Sequence, residues 1–294
     1  MMKINYVYIL RTIIGSANFR DLPSLSGFSD KQIKQLLKVA SSNRVLFILS
    51  KKIRQHEYLG ITGKNRQLVD KIFSEGENIN KKYSVILKEI NRKFEENNIP
   101  FIIVKTDRKV DYVLSDVDIL IREEDFNKGK ELLAEIACDR NILEEEGRWH
   151  YQFDGKVEID IHKTGIDWYS DNFVETASIW SNTERRKFLG DIYQFPSQRN
   201  EWIFNALNII YEKFSFTYLD LLFFKQNENV NYLEITEIAK VHSWDTGLQT
   251  FLHFFNKIKK QSENNFNGAE LELPQMFSYT DFMTIFILRF FSPH

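Results

Sequence analysis

The stretch Ser115-Asp116-Val117-Asp118-Ile119-Leu120-Ile121 decides the fold, together with Val157-Glu158-Ile159-Asp160-Ile161-His162 further along the chain. Both stretches alternate apolar and polar residues, which is the period of a half-buried β-strand. The alternation predicts that the two aspartates of the first strand share one face, and that the three polar side chains of the second strand share another. Carboxylates side by side on a sheet repel each other, and a hard divalent metal is the commonest cation that accompanies them. The two strands therefore predict a cation site.

Composition narrows the class of protein. The chain has 294 residues, of which 43% are hydrophobic, enough for a substantial core. Its net charge of −2 argues against general DNA or RNA binding. The single cysteine, Cys138, excludes an internal disulfide and a multi-cysteine zinc site, and it suits a reducing compartment. We find neither a signal peptide nor a run of apolar residues long enough to cross a membrane, so we expect a cytoplasmic protein with no membrane partner.

Periodicity and turn signals predict an α+β fold, in which a small mixed β-sheet is flanked by helices. Helical stripes cover residues 29–53 and 65–97, with Ser29 as the first N-cap. Residues 100–165 then follow the order β, β, α, β, β, with Asp154-Gly155 as a hairpin turn. Ser197 caps the first of several later helices, the last at 279–291. The predicted regions are 1–98 (N-terminal helices), 99–194 (α/β core) and 195–294 (C-terminal helical domain).

The acidic residues suit phosphoryl chemistry at a metal. In nucleotidyl transfer, two Mg²⁺ ions can activate the attacking oxygen and neutralise the leaving pyrophosphate. Mg²⁺ prefers oxygen ligands, and we expect Asp116, Asp118 and Asp160 to hold Mg²⁺, or Mn²⁺, and to be the catalytic residues. Asp160 has a second interpretation, as the base that accepts the proton of an attacking hydroxyl.

A family resemblance rests on the same residues. The segment 99–162 resembles the nucleotidyltransferase fold of the DNA polymerase β superfamily, and more closely an uncharacterised nucleotidyltransferase-like family of bacteria and archaea. That family has a lysine at the end of a first strand, an Asp-X-Asp strand and a strand ending in aspartate, an apolar residue and histidine. The matching residues here are Lys105, Asp116, Asp118, Asp160 and His162. The resemblance implies a nucleotidyltransferase core and an enzyme that transfers a phosphorus-containing group.

One departure from the superfamily lies just after the first strand. The superfamily usually has Gly-Ser or Gly-Gly there, where backbone N–H groups meet the triphosphate, whereas this chain has Lys105-Thr106-Asp107. Lys105 can still pair with phosphate and Thr106 can still donate, so we assign Lys105, Thr106 and Ser115 to nucleotide binding. His162 and Glu158 share a face with Asp160, and we expect them to be accessory residues.

Three functions remain open from the sequence. The first is a metal-dependent transferase that moves a nucleoside monophosphate from a nucleoside triphosphate to a hydroxyl-type acceptor. A small molecule, an RNA end and a protein are the three candidate acceptors. The second is a catalytically inactive module of the same fold that binds or regulates, which the missing glycine favours. The third is a glycosyltransferase with an Asp-X-Asp motif, against which the helical character of the first hundred residues argues.

Overall fold

A five-stranded sheet with helices against both faces forms the centre of the computed structural model. The structure describes residues 5–15, 22–106, 108, 110–137, 144–145, 148–153, 157–163, 176–213, 215–263 and 275–276. The predicted turn at Asp154-Gly155, the predicted helix at 279–291 and Cys138 lie outside the described residues.

Four helices precede the sheet. They are α1 (Tyr6–Gly15), α2 (Asp30–Ser42), α3 (Leu46–Gln55) and α4 (Gly63–Glu96). The predicted N-cap Ser29 is confirmed, because its side chain and that of Gln32 each accept a hydrogen bond from the backbone N–H of the other residue. This capping box satisfies two donors that the first turn of α2 leaves without helical partners.

The sheet is mixed, as the alternating segments predict. Its strands are β1 (Phe101–Val104), β2 (Val117–Ile121), β3 (Glu144–Glu145), β4 (Arg148–Phe153) and β5 (Val157–His162), with α5 (Phe126–Ile136) after β2. The spatial order is β1-β2-β5-β4-β3. Strands β2 and β5 run parallel, while β1 with β2 and β4 with β5 run antiparallel. The α+β fold class is therefore confirmed.

The two faces of the sheet belong to two hydrophobic cores. Ile119 and Ile159 pack on one face in a core with Tyr83 of α4 and Leu133 of α5. Leu120 packs on the other face, in the larger core that the N-terminal helices share with the helices at the end of the chain. Successive side chains of a strand point to opposite faces, so Asp118, Asp160 and His162 lie on the face of Leu120.

A hairpin that we did not predict extends the structure next to β1. Its strands are β6 (Thr183–Phe188) and β7 (Asp191–Pro196), and β7 packs against β1. Leu189 and Gly190 join the strands with φ of 48° and 90°. Two successive positive φ angles are typical of the tight turn whose twist matches a β-hairpin. Charged residues dominate β6 and conceal its alternation, which explains why the sequence gives no clear strand signal there.

Helices complete the larger core. They are α6 (Thr176–Ser181), α7 (Gln198–Leu207) with a π-helical turn at Asn208–Lys213, α8 (Tyr218–Gln226), α9 (Tyr232–Val241) and α10 (Asp245–Glu263); the short strands β8 (Ser215–Phe216) and β9 (Gln275–Met276) pair. Ser197 caps α7 by accepting from Asn200 N–H, as predicted. Trp202 is fully buried, and its ring meets those of Phe224 and Phe251 edge-on.

None of the described helices is both long enough and apolar enough for a membrane span.

The boundaries of the three predicted regions stay a prediction. Helices α1 to α3 and α7 to α10 contribute to the same core, so packing joins the first region to the last.

Candidate functional site

Asp118 and Asp160 are direct partners in the register of the parallel strands β2 and β5. Both carboxylates are buried, with relative exposures of 8% and 2% for the two residues. Neighbouring strands lie about 4.8 Å apart, so the register alone brings these acidic side chains together on one face. A pair of buried carboxylates this close requires nearby positive charge or hydrogen-bond donors.

His162 completes a group of three possible metal ligands. Its Nε2 lies 2.8 Å from Oδ1 of Asp118, and the ring is buried. One ligand atom from each of Asp118, Asp160 and His162 lies within 4.8 Å of the others. Two carboxylate oxygens and one imidazole nitrogen fit a single divalent cation. The nitrogen suits Mn²⁺ better than Mg²⁺, which prefers oxygen ligands.

Strand β4 supplies two partners of Asp160 that the sequence analysis missed. Arg148 donates from a terminal nitrogen to Oδ2 of Asp160 over 2.6 Å, and His150 Nδ1 lies 2.6 Å from Oδ1. His150 is the direct register partner of Asp160 on β4, and Arg148 is two residues before it on the same face. A carboxylate offers about four lone-pair sites, so Asp160 can keep both contacts and still bind a metal.

Lys105 takes up an unusual backbone conformation at the edge of the site. Its φ is 57°, the left-handed region that glycine adopts most readily, and it directly follows β1. Its buried side chain places Nζ 3.7 Å from Oδ1 of Asp118. The chain thus adopts, with a lysine, a backbone conformation that glycine adopts more readily.

Thr106 connects this turn to β2. Its hydroxyl donates to the carbonyl of Val104 over 2.9 Å and accepts from the N–H of Asp118 over 3.4 Å. The hydroxyl therefore holds the turn after β1 against the residue that carries the buried carboxylate. Thr106 is itself buried, at 3% exposure.

The charges within the site are close to balance. Lys105 lies near Asp118, and Arg148 pairs with Asp160, so each buried carboxylate has a cationic side chain nearby. The repulsion that led us to predict a metal is thus relieved in part by the protein itself. A divalent cation fits the ligand group, but the charge balance does not require it.

Asp116 and Ser115 lie apart from the buried group. Asp116 is exposed, precedes β2, and its Oδ1 accepts the hydroxyl of Ser115 over 2.8 Å. Arg44 donates to the same Ser115 hydroxyl over 3.0 Å. Among the residues described, the group of metal-ligand atoms comprises Asp118, Asp160 and His162 and does not include Asp116. The assignment of Asp116 as a ligand stays a prediction.

Tyr83 of α4 fixes the beginnings of both strands of the site. Its hydroxyl donates to the carbonyl of Ser115 over 2.6 Å and accepts from the N–H of Glu158 over 3.2 Å. Burial raises the pKa of the Tyr83 hydroxyl well above its ordinary value of 10, so the hydroxyl stays protonated and remains a donor. The side chain of Glu158 is half-buried, and its accessory role stays a prediction.

A buried ion pair joins the segment after β1 to the C-terminal helices. Arg108 lies 3.6 Å from Oδ1 of Asp220 on α8, and both side chains are buried. Asp220 also accepts from the N–H and the hydroxyl of Thr217, in the capping box that begins α8. The turn that carries Lys105 is therefore held to α8.

Comparisons with known proteins give one structural similarity. No family model matches the chain, and no curated protein matches it. The solution structure of the antibiotic-resistance factor ANT(2'')-Ia is similar over 61% of this chain and 98% of its own, with a TM-score of 0.40 and 11% sequence identity. The similarity is loose, and the chemistry of the site follows from the residues of this chain.

Proposed function

We propose that this protein is a metal-dependent nucleotidyltransferase, which transfers a nucleoside monophosphate from a nucleoside triphosphate to a hydroxyl-type acceptor. The observation that carries the proposal is the register pairing of Asp118 with Asp160, which together with His162 forms a buried group of ligands. The reaction class comes from the resemblance of segment 99–162 to nucleotidyltransferases. The acceptor is a small molecule, an RNA end or a protein side chain.

The metal site of this enzyme consists of Asp118, Asp160 and His162, with Asp116 as a further ligand. The bound ion supplies positive charge to the triphosphate and acidity to the attacking hydroxyl. The imidazole of His162 favours Mn²⁺ over Mg²⁺. The rigid strands β2 and β5 keep the two carboxylates at a constant separation.

The nucleotide phosphates bind at the cationic side of the same face. Lys105 supplies a point charge, Arg148 supplies a planar pair of donors, and the exposed Ser115 supplies a hydroxyl group. Thr106 positions the turn, because its hydroxyl hydrogen is already donated to the carbonyl of Val104. Arg148 and His150 hold the carboxylate of Asp160 in one orientation, in which it binds the metal or accepts the proton of the acceptor.

The charge balance of the site favours one alternative, a module of this fold that binds or regulates without catalysis. Lys105 and Arg148 already neutralise the two buried carboxylates. A protein that binds no metal ion would need this neutralisation to keep the carboxylates buried. Metal dependence separates the two functions, because the enzyme needs the ion and the inactive module does not.

Calorimetry with Mn²⁺ or Mg²⁺ and each common nucleoside triphosphate tests the proposal. We expect the wild-type protein to bind one or more triphosphates only with metal, and more tightly with Mn²⁺. The double variant Asp118→Asn/Asp160→Asn should lose this binding, while Glu131→Gln, on the exposed surface of α5, should retain it. Circular dichroism establishes that each variant is folded.

Release of pyrophosphate then distinguishes enzyme from module. Metal-dependent release with a hydroxyl acceptor in the wild type, and none in the double variant, supports the transferase. Triphosphate binding that needs no metal and survives in the double variant would contradict it.

A further inference from the structure

A cavity separate from the candidate site lies behind the segment that joins β1 to β2. Its volume is about 610 Å³, within the range of small-molecule sites in proteins. Helices α3, α4 and α8, the 110–114 segment and the turn of the hairpin β6–β7 form its walls. Asp118, Asp160 and His162 are not among the residues that line it.

Positive charge is concentrated at this cavity. Lys51, Lys52 and Lys187 line it, and among the described residues of the lining Asp111 is the acidic one. Asp111 forms an ion pair with Lys51. The cavity thus has an excess of positive charge in a chain whose net charge is −2. A phosphate monoester carries nearly two negative charges at neutral pH and complements this excess.

The rest of the lining combines aromatic and aliphatic side chains with the amides of Gln55, Asn80 and Gln226. The Tyr112 hydroxyl donates to the carbonyl of Thr106, which fixes its ring, and Phe188 packs edge-on against Phe195 with ring centroids 5.6 Å apart. Tyr112, Phe188 and Leu114 together give the cavity an apolar wall. A ligand that fits this lining has an apolar or planar part in addition to its anionic group.

Hydrogen bonds from α4 hold the 110–114 segment and the hairpin turn in place. The Asn80 side chain donates to the carbonyl of Tyr112 over 2.7 Å and accepts from the N–H of Leu114 over 3.1 Å. Ser84, one helical turn further on, donates to the carbonyl of Leu189 in the hairpin turn over 2.8 Å. Because these hydrogen bonds hold the 110–114 segment and the hairpin turn to α4, a ligand would meet walls that are already in place.

The cavity is continuous in sequence with the candidate active site. The 110–114 segment that lines it leads directly into Ser115, which Arg44 contacts. Lys51 of α3 pairs with Asp111, whereas Arg44, which precedes α3, contacts Ser115. A positive side chain therefore accompanies this segment at the cavity and again beside Asp116.

We propose that this cavity binds a small organic phosphate. The phosphate group lies among the lysines, and the organic part lies against Tyr112 and Phe188. Binding needs no divalent metal, because the lysines supply the charge. The proposal does not depend on the proposed transferase activity.

The test titrates the ester 4-methylumbelliferyl phosphate against the full chain by isothermal titration calorimetry in the presence of EDTA. Inorganic phosphate and 4-methylumbelliferone, which lacks the phosphate, are the comparison ligands. We expect the ester to bind more tightly than either. The variant Lys52→Gln/Lys187→Gln should weaken its affinity about tenfold or more, through the loss of two charged partners.

Two further variants complete the experiment. Lys88→Gln/Lys240→Gln removes the same charge from exposed positions on α4 and α9 and should leave the affinity unchanged. The active-site variant Asp118→Asn/Asp160→Asn should also bind the ester normally, even if the proposed transferase activity is absent from the wild type.

Three results would overturn the proposal. They are no binding of the ester by folded wild-type protein, equal affinity for inorganic phosphate and the ester, and loss of ester binding in the active-site variant but not in the cavity variant. The last result would place the anion at the buried carboxylate group instead.

Discussion

The hydroxyl of Tyr83 donates a 2.6 Å hydrogen bond to the carbonyl oxygen of Ser115. The same oxygen atom of Tyr83 accepts from the N–H of Glu158. One side chain of α4 thus joins the residue that precedes Asp116 to the strand that carries Asp160. The positions of the two acidic segments therefore depend on this helix as well as on the sheet register.

Tyr83→Phe should lower the free energy of unfolding by about 1–2 kcal/mol, because it leaves a buried carbonyl and a backbone N–H without their shared partner. Tyr193→Phe is the matched control. The Tyr193 hydroxyl is buried and has no hydrogen-bond partner in the part of the chain that the structure describes. Its removal should be neutral or slightly stabilising. Urea denaturation measures both variants, and equal losses would contradict this interpretation of Tyr83.

The sequence predicts the pairing of acidic strands but not the partners of Asp160. A two-residue turn at Asp154-Gly155 implies that Trp149 lies opposite Asp160. In the observed register His150 lies there instead, and Arg148 shares its face. A shift of one residue exchanges the two faces of a strand. A register that is wrong by one residue therefore places Arg148 and His150 on the face opposite Asp160.

The backbone at Lys105 was also beyond prediction. Sequence patterns indicate that a strand ends at Val104, but they do not indicate that a lysine adopts a positive φ where the superfamily usually has glycine. Helix α4 was predicted from its periodicity, whereas the contact of Tyr83 with Ser115 depends on long-range packing. Local patterns thus predicted most of the elements, though not the hairpin β6–β7, and tertiary contacts determined the site.

Arg148→Gln should make the metal-free protein less stable and its response to metal larger. The variant removes the guanidinium that offsets the buried charge of Asp160, at a cost of about 1–3 kcal/mol. A divalent ion can restore that charge balance, so Mn²⁺ should raise the melting temperature more in the variant than in the wild type. Differential scanning fluorimetry with and without Mn²⁺ measures this. An equal response in both proteins would mean that Arg148 and the metal act on separate groups.

The variants Lys105→Gly and Lys105→Ala distinguish the effect of the backbone conformation of this residue from the effect of its side-chain charge. Both variants lose the ammonium group near Asp118, and both should bind triphosphate more weakly to the same extent. The glycine variant should be about 1 kcal/mol more stable than the alanine variant, because the positive φ costs alanine more. Chemical denaturation and calorimetry give the two quantities. Equal stability would show that the turn relaxes after substitution.

Alkaline pH should unfold the protein through its buried tyrosines. Burial raises the pKa of Tyr151, Tyr193, Tyr211 and Tyr218 to about 12, from an ordinary value of 10. Between pH 10 and pH 12 the folded state thus keeps the hydroxyl protons that the unfolded state releases. Their stabilising contribution is complete below pH 10 and is lost as the pH rises from 10 to 12. Absorbance of tyrosinate should show these groups titrating only together with unfolding, and smooth titration of every tyrosine near pH 10 in folded protein would contradict this.

The pair formed by Arg108 and Asp220 should couple the turn after β1 to the C-terminal helices. Arg108→Met leaves the buried carboxylate without its guanidinium and should cost about 3 kcal/mol. Asp220→Asn should be similarly costly, and the double variant should cost less than the sum of the two. Ser29→Ala is the control, since it removes the capping side chain of α2, whose partner is Gln32, and should cost about 1 kcal/mol without interacting with Arg108→Met. A double-mutant cycle by urea denaturation measures the coupling, and additive losses from Arg108→Met and Asp220→Asn would mean that their proximity contributes nothing to stability.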